Sequence, residues 1–168
     1  YKDYLLFYRL GDFYEMFFDD AIIASRVLEL GLTGRDCGEA ERAPMCGVPF
    51  HAVDTYIGKL IEKGYKIAIC EQMENPAEAK GIVKRDVIRV ITPGTLIESE
   101  LLSDKKNNYL CSVYFGEFDY GVCFCDISTA EIYATSVSGD GMDVKLQNEL
   151  GTYSPVEVVT NLNSAKFV

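Results

Sequence analysis

Tyr4-Leu5-Leu6-Phe7-Tyr8 is an unbroken apolar and aromatic run, which predicts a buried strand. Leu10-Gly11-Asp12 follows as a two-residue hairpin signal, and Phe13 to Phe17 reads as the return strand. From about Asp19 to Leu30 the apolar positions Ile22, Ile23, Val27, Leu28 and Leu30 keep a helical spacing. Acids stand at the expected N-terminus and Gly31 after the last turn. Residues 31–52, GLTGRDCGEAERAPMCGVPFHA, are dense in turn formers and read as loop. A second helix fits Val53 to Lys63, with Tyr56, Ile57, Leu60 and Ile61 on one face and Gly64 as its stop. Tyr65 to Cys70 and Val87 to Ile91 read as strands. Asn75-Pro76 and Thr92-Pro93-Gly94-Thr95 read as turns.

The character changes at Leu96–Asn108, LIESELLSDKKNN, a polar stretch that predicts a domain boundary and divides the chain into residues 1–104 and 105–168. Beyond it lie three strand-like runs, Tyr109–Phe115, Tyr120–Ile127 and Ala130–Val137. Short turns separate them, as in an antiparallel meander. A helix near Asp143–Leu150 and a strand near Val156–Thr160 come next. Three antiparallel strands, a helix and a strand is the order in which ribonuclease-H-like folds begin. The fold class is therefore α/β: a mixed-sheet first domain, then the beginning of a ribonuclease-H-like domain.

Composition bounds the partners. The 168 residues carry a net charge of −10, with 12 Lys and Arg against 18 Asp and Glu in 1–104 and 4 against 8 in 105–168. Neither part has the basic excess of a nonspecific nucleic-acid or anionic-lipid binder, so any contact with DNA must rest on a local patch. No apolar run is long enough to span a membrane, and the N-terminus lacks signal-peptide order. The chain begins with Tyr, as expected of a fragment of a longer protein. Six cysteines, several of them inside apolar runs, read as reduced thiols. Cys123 and Cys125 lack the second pair that a structural metal site would need.

The chemistry concentrates in Gly11–Phe17, GDFYEMF. In a helix, Phe13 and Glu15 would point about 200° apart, with Asp12 and Glu15 forming a capping box. In a strand, residues i and i+2 share a face, so Phe13 and Glu15 point together while Tyr14 and Met16 point into the core. A ring beside a carboxylate suits a nucleobase, the one stacking and the other hydrogen-bonding. The ordinary alternative is a hairpin with one half-exposed Phe. Arg35, His51, Lys84 and Arg85 are further candidates for phosphate or sugar contacts, each weighed against a plain solvated or loop-anchoring residue.

LLFYRLGDFYEMFFDDA at 5–21 resembles the opening of the bacterial MutS DNA mismatch-repair family, whose recognition domain carries a Phe-X-Glu motif, here Phe13-Tyr14-Glu15. APMCGVPFHA at 43–52, LIEKGYKIAICEQ at 60–72 and VIRVITPGT at 87–95 follow in the family's order. GVCFCDISTAE resembles the start of its connector domain. The resemblance implies a mismatch-recognition domain over 1–104 and an incomplete connector over 105–168. It implies that Phe13 inserts at a mispaired step and that Glu15 hydrogen-bonds the base, as the protonated acid when it meets a purine ring nitrogen. It further implies mismatched or looped duplex DNA as partner. For the full-length protein it implies a homodimer, downstream repair proteins, ATP and Mg²⁺, and a cytoplasmic, nucleoid-associated location in bacteria. No G-x-x-x-x-G-K-[ST] phosphate loop occurs in the chain, so no cofactor is expected in this fragment and it is not expected to be an enzyme. Two other readings compete. Asp126 with Asp119, Glu131 and Asp143 suggests a ribonuclease-H-like, metal-dependent nuclease. The overall acidity suggests a protein-interaction module.

Overall fold

The computed structural model describes residues 1–38, 41–74, 81, 83–96 and 107–162. Tyr1–Thr92 and Pro93–Val168 form two compact units. Most of the stretch expected to link two domains, residues 97–106, and the expected Asn75-Pro76 turn lie outside the described residues.

The first unit is a six-stranded mixed sheet in the order β3-β4-β2-β1-β5-β6. Strands β1 (Leu5–Leu10) and β2 (Phe13–Phe17) form the expected hairpin. Gly11 takes φ +57° at the first of its two loop residues, a conformation that strains any side chain with a Cβ. Strand β5 (Ile67–Gln72) runs parallel to β1 in the sheet centre, and β6 (Arg85–Ile91) closes one edge. Parallel pairing requires a crossover. Helix α1 (Phe18–Leu28), strands β3 (Thr33–Arg35) and β4 (Ala43–Pro49), and helix α2 (Val53–Glu62) make it.

Two expectations need correction. Residues 31–52 are not all loop: β4 lies inside the sheet, paired to β2 on one side and β3 on the other. Its prolines and glycine disguised it. Pro44 and Pro49 stand near its ends, and only Cys46 and Val48, 1% and 0% exposed, show the alternation of a strand. Helix α1 also turns a different face to the core from the one its largest side chains suggested. Ala21, Ala24 and Leu28 are buried, whereas Ile22 is exposed. The alanines let α1 approach closely enough for the Cys46 thiol to donate to the Ala21 carbonyl, at 3.5 Å. The helix ends at Leu28, two residues short of the expected Leu30, and Glu29 caps it in the left-handed region (φ +56°) with its N–H on the Ser25 carbonyl. Helix α2 follows its predicted face, burying Ile57, Leu60 and Ile61, and Gly64 ends the turn at φ +82°.

Both helices lie on one side of the sheet, over Leu5, Phe7, Tyr14, Met16, Cys46 and Val48. The other side, carrying Leu6, Tyr8, Phe13, Glu15 and Phe17, is partly or fully exposed. At the start of α1 the Asp20 carboxylate accepts the Leu6 N–H at 2.9 Å, and burial raises its pKa above the usual range.

The second unit is a sheet in the order β10-β7-β8-β9, from β7 (Tyr109–Phe115), β8 (Asp119–Asp126), β9 (Glu131–Ser138) and β10 (Glu157–Thr160). The first three form the expected meander. After α3 (Met142–Tyr153) the chain returns with β10 parallel to β7. Cys111, Val113, Val122, Phe124 and Val137 pack with Leu146 of α3. The predicted Pro-Gly turn, a short 3₁₀ segment at Pro93–Thr95, sits against this sheet. A Cβ on Gly94 would come within 3.1 Å of the Leu110 and Glu157 side chains.

All six cysteines are free thiols. Burial pushes those of Cys46 and Cys111 up to about 11, so both stay protonated and unreactive near neutral pH.

Asp126 is 1% exposed, and its carboxylate ties two segments together. Oδ1 accepts the Ser128 N–H at 3.0 Å and the Ser128 hydroxyl at 2.6 Å, and Oδ2 accepts the Asn108 N–H at 2.8 Å. Burial opposes ionisation, but these donors together outweigh it and hold the carboxyl below its usual range. Asp126→Ala orphans those donors and should cost about 2–4 kcal/mol at neutral pH. Because the folded pKa is the lower one, this contribution is complete above about pH 4 and fades as pH falls through the folded value. Urea unfolding of both proteins at pH 7 and pH 3 should show the gap narrowing in acid. A gap that does not change with pH would mean that the carboxylate's charge is not what anchors the turn.

Candidate nucleic-acid interface

Strand β2 has neighbours on both sides, so its pleat is fixed by two sets of backbone hydrogen bonds. Along it Tyr14 and Met16 are 7% and 0% exposed, while Phe13 is 47% exposed at the hairpin end. Glu15 lies on the same face as Phe13, two residues along. The strand alternative for GDFYEMF is the one realised.

The Phe13 end of the sheet is braced from the opposite side. Tyr14 donates its hydroxyl to Glu71, and burial followed by that carboxylate pushes its pKa up to about 12, so it remains a donor. Arg9 Nε donates to the Gly11 carbonyl in the hairpin turn. The Arg9 guanidinium stands 3.9 Å from the centre of the Phe50 ring and 5.4 Å from that of Tyr14, with Glu71 at 4.0 Å. The Phe50 N–H donates to the Asp12 carbonyl at 3.0 Å, tying the end of β4 to the same turn. Phe50 is itself 41% exposed, so two rings, Phe13 and Phe50, stand at this end.

The other predicted residues divide into two groups. Arg35, on β3, forms an ion pair with Glu15. Arg85 lies over the Tyr8 ring, at 4.9 Å, and donates through Nε to the Arg9 carbonyl and through Nη1 to the Val83 carbonyl. Tyr8 is the cross-strand partner of Glu15, so Arg85 joins the face of Glu15 and Phe13. His51 is exposed beside Phe50, with ring centres 5.9 Å apart. Lys84 is exposed at the entry to β6, its backbone N–H on Glu74. Arg9 and Phe50 were not singled out from the sequence. An Arg two residues before the Gly11-Asp12 turn was the available signal, but only the sheet pairing shows that it spans from turn to ring.

The acids that suggested a nuclease do not converge. Asp126 and Glu131 are register partners at one end of β8 and β9. Asp119 is at the other end of β8, about 23 Å away at strand spacing. Asp143 accepts the Tyr120 hydroxyl at 3.1 Å near that second end. Among the described residues no three metal-ligating side chains group together. No helix is long and apolar enough to cross a membrane.

Comparison with known proteins agrees with this architecture. The family model described as MutS domain I matches residues 1–100, and MutS domain II matches residues 108–166. The DNA mismatch repair protein MutS of Acetivibrio thermocellus is 59% identical over 161 residues, 96% of this chain and 18% of that protein. Its counterpart in Ruminiclostridium cellulolyticum is 59% identical over 166 residues, 98% of this chain and 19% of that protein. The Clostridioides difficile protein is 56% identical over 161 residues, 96% and 17% respectively. The chain therefore spans under a fifth of the length of these curated relatives. With family models matching most of its length, the chain belongs to the MutS family of DNA mismatch-repair proteins and carries sequence of its domains I and II.

Proposed function

We propose that this chain is the mismatch-probing part of a MutS protein. Phe13 enters the duplex from the minor groove and stacks at a mispaired or unpaired base, and Glu15 hydrogen-bonds that base. The observation that carries this reading is the contrast on β2: an exposed ring and a carboxylate on one face, between side chains locked into the core. A wedge must not fold back when pressed against a base stack. Phe13 is backed by a strand paired on both sides and by a turn held by Arg9. Mismatched steps are poorly stacked and bend at lower cost than paired ones, so one ring can serve many mismatches by reading deformability rather than base identity.

The chain's acidity fits a probe better than a clamp. Phosphate neutralisation would come chiefly from other regions of the full-length protein, aided here by Arg35, His51, Lys84 and Arg85. ATP with Mg²⁺, the homodimer and the downstream repair partners likewise belong to that longer protein. So does a cytoplasmic, nucleoid-associated location.

In a full-length family member carrying this segment, Phe13→Ala should remove about 1–3 kcal/mol of stacking, roughly ten- to a hundredfold in affinity for mismatched duplex. Matched duplex should lose little and the salt dependence should hardly change, because paired DNA never receives the ring and the phosphate contacts remain. Fluorescence anisotropy on matched and mismatched duplexes at several salt concentrations measures both. Equal losses on the two duplexes would make Phe13 a structural residue only.

Glu15→Gln separates charge from hydrogen bonding. If Glu15 meets the base as the neutral acid, the amide retains a donor and drops the repulsion from phosphate. Matched binding should then rise while mismatched binding is nearly kept, so discrimination falls. Unchanged matched binding with a large loss on mismatched duplex would instead identify the ionised carboxylate as the group that reads the base.

A further inference from the structure

The Glu15 carboxylate is not bare. Its side chain is 16% exposed and paired with the guanidinium of Arg35, itself 47% exposed. Arg35 is not a strand neighbour of Glu15: β4 lies between β3 and β2, and Arg35 must reach across it. The residue of β4 directly opposite Glu15 is Gly47. A Cβ there would come to 3.4 Å from Glu15 Cγ and 3.2 Å from the Tyr14 carbonyl oxygen. The missing side chain leaves room for the carboxylate to lie over β4 towards Arg35. The Arg35 guanidinium also stands 6.0 Å from the centre of the Phe17 ring, on the same face.

Half-exposed ion pairs of this kind add little to folding stability. The pair has a larger consequence for what the probing face presents to a polyanion. A duplex carries a phosphate charge about every 1.7 Å along its axis, and an unpaired carboxylate on the approaching face is repelled by all the nearby ones. Resting on the probe reading above, we propose that Arg35 is the specificity-determining counter-ion of Glu15. It neutralises and orients the carboxylate while the face lies on paired DNA, and it thereby sets how strongly matched duplex is disfavoured relative to mismatched. Arg35 acts on the base through Glu15, so it is a positioning residue, whatever phosphate contact it also makes.

A double-mutant cycle in the full-length protein tests this. Wild type, Arg35→Ala, Glu15→Gln and the double variant are compared on matched and mismatched duplex at one salt concentration. With Glu15 present, Arg35→Ala should weaken matched binding about tenfold and mismatched binding only about threefold, because a base contact partly offsets the exposed charge. With Gln at position 15, the same substitution should cost matched binding about threefold or less. Arg35→Lys, which keeps the charge, should recover most of the matched binding. A loss from Arg35→Ala that is the same within about twofold in both backgrounds would overturn the proposal, leaving Arg35 as a phosphate contact or a fold residue. That outcome is independent of the Phe13→Ala result. A selective loss there with an additive cycle here keeps the probe and discards its counter-ion.

Discussion

The two-sided pairing of β2 is the constraint on which the first unit depends. An edge strand can twist, bulge or slip. A strand hydrogen-bonded to β1 on one side and β4 on the other has one register and one pleat. That pleat sends Tyr14 and Met16 under the helices and leaves Phe13 and Glu15 outside. A one-residue slip would exchange the two sets, burying a carboxylate and exposing Tyr14 and Met16. Apolar burial therefore enforces the register, and the register presents the ring and the carboxylate together.

The same sheet reconciles the acidity of the chain with the phosphate-rich ligand proposed for it. The net charge of −10 is a property of the whole sequence, but the face bearing Phe13 gathers cations from both edge strands of the sheet. Arg35 comes from β3 and pairs with Glu15 on β2, and Arg85 comes from β6 and lies over Tyr8 of β1. None of these is close to its partner in sequence. Local compensation of this kind is what makes net charge a poor guide to a single face, since exposed charges beyond about 8–10 Å are screened at physiological salt.

In the second unit, two of the acids that suggested a nuclease work as structural elements. Asp126 satisfies backbone and hydroxyl donors at the β8–β9 turn and at the entry to β7, and Asp143 accepts a tyrosine hydroxyl. A carboxylate whose oxygens already accept several protein donors has little coordination left for a divalent cation. Its identity and its position on a strand were equally compatible with catalysis. Only the hydrogen-bond partners distinguish the roles.

The sequence determined what depends on near neighbours. The β1–β2 hairpin follows from an apolar run and a Gly-Asp turn, α2 from its spacing and Gly64, and the β7–β9 meander from strand-like runs separated by short turns. The shared face of Phe13 and Glu15 follows from a period of two once the stretch is a strand. Tertiary structure decided what depends on contacts between distant segments. Strand β4 is a strand because β2 and β3 pair with it, against the turn preference of its prolines and glycine. Helix α1 buries its alanines because the sheet demands close approach, although its isoleucines gave the stronger periodic signal. The partners Arg35 for Glu15 and Arg9 for the hairpin turn and Phe50 were likewise hidden. Side-chain pairing across a sheet is set by strand order and register, and a linear pattern of residue types contains neither until the strands have met.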